Sequence, residues 1–204
     1  MPLTPHQTAE ATAAMRTVAA LFVRRDSIYK TLPGVECYDV DRDASLFSGG
    51  MPVVAHPPCR AWGRFRHLAK PEPGERNAAM RAVLLVRRCG GVLEHPASST
   101  LWNACGMRRP GEPRDSHGGY TIEIEQHDFG HKCRKRTWLY IVGVYPQKLP
   151  AWSIDLAEPT YCIDTMKRGP HKPRVSHADR ERTPLEFAKW LVEIARRTKV
   201  PSCL

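Results

Sequence analysis

The chain has 204 residues, of which 42% are hydrophobic, a formal net charge of +10 and a sequence pI of about 9.5. That length and apolar content suit one domain with a real core and speak against disorder. The basic balance points to a polyanionic partner, nucleic acid before membrane, and no apolar run approaches the roughly 18 residues that span a bilayer. Met1–Glu10 has no basic segment followed by an apolar one, so no signal peptide is expected. Cys37, Cys59, Cys89, Cys105, Cys133, Cys162 and Cys203 are scattered, odd in number and free of CxxC pairs. That usage speaks against a disulfide framework or a zinc knuckle and fits a cytoplasmic protein with reduced thiols.

In chain order, the Ala- and Thr-rich stretch Thr8–Ala20 predicts a helix and Ala19–Val23 a first strand. Arg24–Tyr29 follows, where a dinucleotide- or adenosyl-binding protein usually carries a glycine-rich turn, and this sequence has none. Val35–Val40 reads as a second strand, with Asp39 or Asp41 at its end suited to accept hydrogen bonds from a ribose or to be simply solvated. Pro52–Gly63 is an apolar strand, Val53–Ala55, running into the stiff turn His56-Pro57-Pro58-Cys59. Cys59 is thus expected beyond the C-terminal end of a strand, the edge where open α/β sheets bind ligands.

Glu75–Arg88 places Ala79, Met80, Val83, Leu84 and Val86 at helical spacing and ends at Gly90-Gly91. Val92-Leu93 predicts a short strand that delivers Glu94-His95-Pro96 to the same edge as Cys59. Arg108–Gly119 reads as loop, Tyr120–Glu125 as a half-exposed strand, Gln126–His131 as a polar turn and Trp138–Val142 as an apolar strand. Residues 145–182 predict an extended basic loop, with Lys167–Arg174 suited to phosphate contact or to plain solvation. A C-terminal helix over 183–198 is expected, with Thr183 at the N-cap, Pro184 at N1 and Glu186 at N3. His127 and His131 are four residues apart, but Asp128-Phe129-Gly130 reads as a turn, so no metal site is expected.

Chemically, a Cys59 thiolate suits addition to C6 of a pyrimidine, with Arg60 and Arg64 expected to lower its pKa and Glu94 to stabilise the developing charge. Trp62 and Trp102 suit stacking on a flipped base or ordinary core packing, the latter favoured for Trp102.

Pro58-Cys59, the strand end Glu94-His95-Pro96 and the run Arg134-Lys-Arg-Thr-Trp-Leu-Tyr-Ile-Val-Gly143 together resemble the cytosine-C5 DNA methyltransferases. The His-Pro-Pro-Cys turn and the Phe-Gly-His segment before Thr-Trp-Leu-Tyr are similar to small phage and prophage methyltransferase-like proteins. The resemblance covers about Tyr29 to Gly143. It implies a single Rossmann-like α/β domain with a mostly parallel sheet and flanking helices, acting on DNA or a nucleotide.

It also implies S-adenosylmethionine as cofactor, held near Asp26, Tyr29, Asp39 and Asp43. Cys59 would be the nucleophile, Glu94 the base-holding acid and Arg136 a supporting donor. His56, Pro58, Arg60, Trp62, His95, His131 and Trp138 would line the substrate. The Pro-Pro turn is also similar to that of the amino-group (N4/N6) methyltransferases, in which Cys59 would matter little. A non-catalytic fold that binds nucleic acid or blocks a host defence protein is the third reading.

Overall fold

A computed structural model of the protein describes residues 16–163 and 172–199. Strand β1 (Val18–Leu21) lies between β2 (Val35–Tyr38) and β3 (Val53–Ala55), and β4 (Gly91–Pro96) follows β3, all four parallel. β6 (Arg136–Val142) runs antiparallel to both β4 and β5 (Tyr120–Glu125), giving the order β2-β1-β3-β4-β6-β5. The sheet is therefore mixed, with an antiparallel pair at one side of a parallel core. β1 and β3 are buried at every position, as expected of central parallel strands covered on both faces.

Helix α1 (Glu75–Cys89) covers one face, where Ala79, Ala82, Val83 and Val86 meet Phe47, Leu93, Trp102 and Tyr140. Helix α4 (Leu185–Arg196) covers the other, setting Phe187, Leu191 and Ile194 against Val54, Val92, Leu139 and Ile141. Each fully buried side chain of that size contributes roughly 1.5–3 kcal/mol, which fixes the helix on the sheet. Short helices α2 (Leu101–Ala104) and α3 (His177–Glu181) lie between. Gly91 starts β4 at φ +125°, and a Cβ there would stand 1.9 Å from the Val53 carbonyl oxygen, so only glycine lets β4 pair with β3. Among the described residues no helix is long and apolar enough to cross a membrane.

Several elements differ from the expectations above. β1 already starts at Val18, so residues 18–20 are strand and not the end of a helix; Thr8–Met15 lies outside the described residues. β4 extends through Glu94 and His95, because pairing with β6 carries the ladder past Leu93, where its pairing with β3 ends. α4 begins two residues after Thr183: Pro184 is its N-cap and no side chain caps it.

Residues 145–182 are not uniformly extended. They contain a 3-10 turn at Pro146–Lys148, a bridge between Cys162 and Arg174, and α3, whose N-cap Ser176 accepts from the Asp179 N–H. Residues 164–171 lie outside the description, and of the basic run Lys172 pairs with Glu158 while Arg174 bonds the Ile163 carbonyl.

Candidate functional site at the C-terminal edge of the sheet

The chain leaves β1 toward β2 on one side and reaches β3 on the other, which makes the β1/β3 boundary the switch point of the sheet. His56 leaves β3 there, tied to β1 by its N–H to the Leu21 carbonyl. Pro57 and Pro58 have no N–H to extend a ladder, and the Cys59 carbonyl accepts from the N–H groups of Trp62 and Gly63 to close the turn.

Five segments meet in one hydrogen-bonded chain. The Tyr29 hydroxyl lies 2.8 Å from His56 Nε2, and His56 Nδ1 lies 3.0 Å from Glu94 Oε2. Gln126 Nε2 donates to the other Glu94 oxygen at 2.9 Å and to Thr137 Oγ1 at 3.0 Å, while the Thr137 hydroxyl donates to the Lys135 carbonyl. Burial holds the Tyr29 phenol well above its ordinary pKa, so it stays protonated beside His56. Burial alone would push the Glu94 carboxyl up, but the Lys135 ammonium and the His56 hydrogen bond outweigh it and hold it at about 2. Glu94 is an ionised carboxylate whose side chain is 12% exposed, and Lys135 is the half-buried cation that acts on it, its ammonium in no hydrogen bond or ion pair among the described residues.

Cys59 is exposed as a residue, yet its thiol sits against protein. Burial and the Glu94 charge push the thiol up, and Lys135 offsets only part of that. The expectation that Arg60 and Arg64 lower it is overturned: Arg60 Nε is bonded to Glu75 at 2.9 Å, and the Arg64 guanidinium lies over Phe65.

His95 takes the opposite face of β4, fully buried beside the Pro58 carbonyl and tilted against Trp102. Neither ring nitrogen makes a well-formed hydrogen bond, and burial lowers its pKa to about 4. Trp62 and Trp102 are core residues, Trp62 with its indole N–H unpartnered and Trp102 bonded to Thr121 Oγ1, so neither presents a free face to a base.

Arg136 and Trp138 stand apart from the cluster, both bonded to the Glu123 carboxylate on the outer face. Strand alternation explains it: Glu94 pairs with Leu139, so residues 137 and 139 share its face while Arg136 and Trp138 share the face of His95. The inward cation from the basic turn is thus Lys135. Lys135, Gln126 and Thr137 escaped the sequence reading, although period-two counting from Glu94 once β4 and β6 are paired would have found two of them. His131 is buried near this turn, with Nδ1 2.9 Å from the Cys133 carbonyl and Nε2 unpartnered. His127 Nδ1 and Nε2 lie at the carbonyls of His131 and Ala157, so the two histidines do not face one point. Among the described residues no group of three or more His, Cys, Asp or Glu side chains could hold a metal ion.

At the β1/β2 end the acids are already engaged. Asp39 accepts from Lys30 at 2.6 Å and from the N–H groups of Asp41 and Arg42, Asp26 pairs with Arg24, and Asp43 caps the turn at Ser45. Phe22, not a glycine, takes the left-handed conformation after β1 (φ 59°), and only a 3-10 turn, Ile28–Thr31, lies between β1 and β2. No protein-family model matches the chain, and no curated protein is similar to it.

Proposed function

We propose that this protein modifies a pyrimidine base of DNA or of a nucleotide, with Cys59 attacking C6. The observation that carries the reading is that Cys59 follows β3, Glu94 lies near the end of the neighbouring β4 and Lys135 sits in the turn before β6, with the three groups acting on one another electrostatically. The mixed, mostly parallel sheet with helices on both faces fits a Rossmann-like, methyltransferase-like domain, and the net charge of +10 fits a polyanionic substrate.

The thiol proton passes to the Glu94 carboxylate and from there to N3 of the base, while sulfur bonds to C6. The C5=C6 π pair shifts to form C4=C5 as the N3=C4 pair takes the proton at N3, leaving an enamine that is nucleophilic at C5, and Lys135 places positive charge beside the negative charge that develops during the attack. The His56–Tyr29 pair orients Glu94 through this proton transfer. S-adenosylmethionine, which the resemblance implies, would supply a methyl group to C5. The engaged Asp26, Asp39 and Asp43, with Phe22 in place of a glycine turn, do not fit it in the usual way, so no step is routed through it.

The test needs no cofactor: reversal of the addition after C5 takes a proton from water exchanges the C5 hydrogen. Tritium release from oligonucleotides carrying 5-tritiated cytosine is expected from wild type and not from Cys59→Ala. No release from wild type above the mutant rules out attack at C6. Amino-group transfer is the second reading, favoured by the raised Cys59 thiol, and there Cys59→Ser leaves activity nearly intact. The engaged acids favour a third, a non-catalytic nucleic-acid-binding or anti-defence protein, for which all these activities are absent while nucleic acid is still bound.

A further inference from the structure

Cys59 opens a compact loop that reaches solvent with an unusual set of side chains. Its backbone is a series of tight turns, with Arg66 N–H donating to the Gly63 carbonyl, Leu68 N–H to Phe65 and Ala69 N–H to Arg66. The loop is pinned at its base because the Trp62 carbonyl accepts from both the N–H and the hydroxyl of Thr100, and the Trp62 ring is buried in the core. Past that anchor, Phe65 is 51% exposed and Leu68 is 74% exposed. Around them stand Arg64, Arg66, His67 and Lys70, none in an ion pair among the described residues, with Arg64 over the Phe65 ring at 5.3 Å. The acids acting on this region are Glu72, Glu75 and Glu181; Glu75 is taken by Arg60 and Glu181 by Arg24.

Phe65 and Leu68 together put two large apolar side chains in water among guanidinium and ammonium groups that are in no ion pair among the described residues. The combination is what a polynucleotide strand requires: cations for successive phosphates and an aromatic face for a base. The loop starts at the thiol that the proposed chemistry uses, so a strand lying on it would have one nucleotide at Cys59. We propose that residues 64–70 form a strand-binding platform, with Arg64, Arg66 and Lys70 on phosphates and Phe65 stacked on a base next to the target. The substrate is then a nucleic-acid strand rather than a free nucleotide. This rests on the reading of Cys59 as the site's reactive group only for its location; the binding itself needs no chemistry.

The experiment is fluorescence anisotropy with a labelled single-stranded 20-mer, using Cys59→Ala protein as the parent so that no covalent step contributes. Arg64→Ala/Arg66→Ala/Lys70→Ala in that parent is expected to weaken binding at least tenfold and to reduce the slope of log affinity against log salt by about 2, at roughly 0.7 per lost phosphate contact. Phe65→Ala is expected to weaken it by about fivefold or more with an unchanged salt slope, and Phe65→Trp to retain it. All four positions are solvent-facing, so melting temperatures should stay within a degree or two of the parent.

Binding unchanged in the triple variant overturns the platform, as does binding by the triple variant that falls with an unaltered salt slope. So does loss of affinity for phosphatidylserine vesicles, but not for the 20-mer, which would make the loop a membrane contact. A parent that binds normally while wild type releases no tritium would remove the attack on C6 and keep the platform. Release from a tritiated nucleotide with no 20-mer binding would do the reverse.

Discussion

Glu94 and His95 are consecutive residues of β4, yet the pleat sends them to opposite faces and into opposite electrostatic conditions. Glu94 is largely shielded from solvent, with both carboxylate oxygens bonded and a cation acting on it, so it keeps its charge. His95 is buried with no bonded partner on either nitrogen, so it stays neutral. Burial acts against charge in both cases; what differs is whether the neighbouring loops supply counter-charge and hydrogen bonds. One strand end therefore carries a reactive, ionised group on the α4 side and an inert, ring-packed one on the α1 side. The turn that leads to Cys59 touches both, through His56 at Glu94 and the Pro58 carbonyl beside His95.

The largest expected effect comes from breaking the charged half. Glu94→Leu leaves Lys135, His56 and the Gln126 amide without their common partner in a buried site, and is expected to cost about 3–5 kcal/mol in denaturant unfolding. Glu94→Gln keeps the shape and should cost less while abolishing tritium release.

The neutral half is tested by pH. His95 has its folded pKa lowered to about 4, below its ordinary value of 6.5, so the unfolded chain binds the proton first. Stability is unaffected by this group above pH 6.5 and falls as pH drops from 6.5 toward 4, by about 3 kcal/mol in all. Glu94 works in a lower window: its folded value of about 2 lies below 4.5, so its contribution is full above pH 4.5 and is lost as pH falls through 2. His95→Phe is expected to flatten the loss between pH 6.5 and 4 and to leave the loss below 4.5 in place, read by thermal melts across pH.

Smaller effects separate the support of Glu94 from the outer face. Thr137→Val removes the acceptor that steadies Gln126 and should cost about 1 kcal/mol, with a matching fall in tritium release. Arg136→Ala breaks an exposed pair with Glu123 and should change stability by less than about 1 kcal/mol. Its activity should match wild type, whereas Lys135→Met should lower it at least tenfold. Equal losses for the two variants would contradict the separation of faces.

Much of this site could be read from residues alone because it depends on short-range signals. Two prolines after Val53–Ala55 place Cys59 beyond a strand, and Glu94 follows an apolar run, so their shared edge was legible. Lys135 was not, because which member of Lys132–Arg136 faces inward depends on the antiparallel register of β6 against β4, a long-range property. The raised Cys59 thiol was hidden for a similar reason: Arg60 follows it directly in sequence, but the helix start at Glu75 claims that guanidinium. The absent helix between β1 and β2 was foreshadowed by the missing glycine turn. The engagement of Asp26, Asp39 and Asp43 by nearby partners was not.

The most direct test of Cys59 and Glu94 acting together on a pyrimidine is intact-mass analysis of the protein after incubation with an oligonucleotide carrying 2-pyrimidinone in place of cytosine. That ring accepts a thiol at C6 without any transferred group. The account predicts a species heavier by the mass of the oligonucleotide in wild type, absent in Cys59→Ala and much reduced in Glu94→Gln. A wild-type protein that gives no adduct, or an adduct that survives in Cys59→Ala, would contradict it.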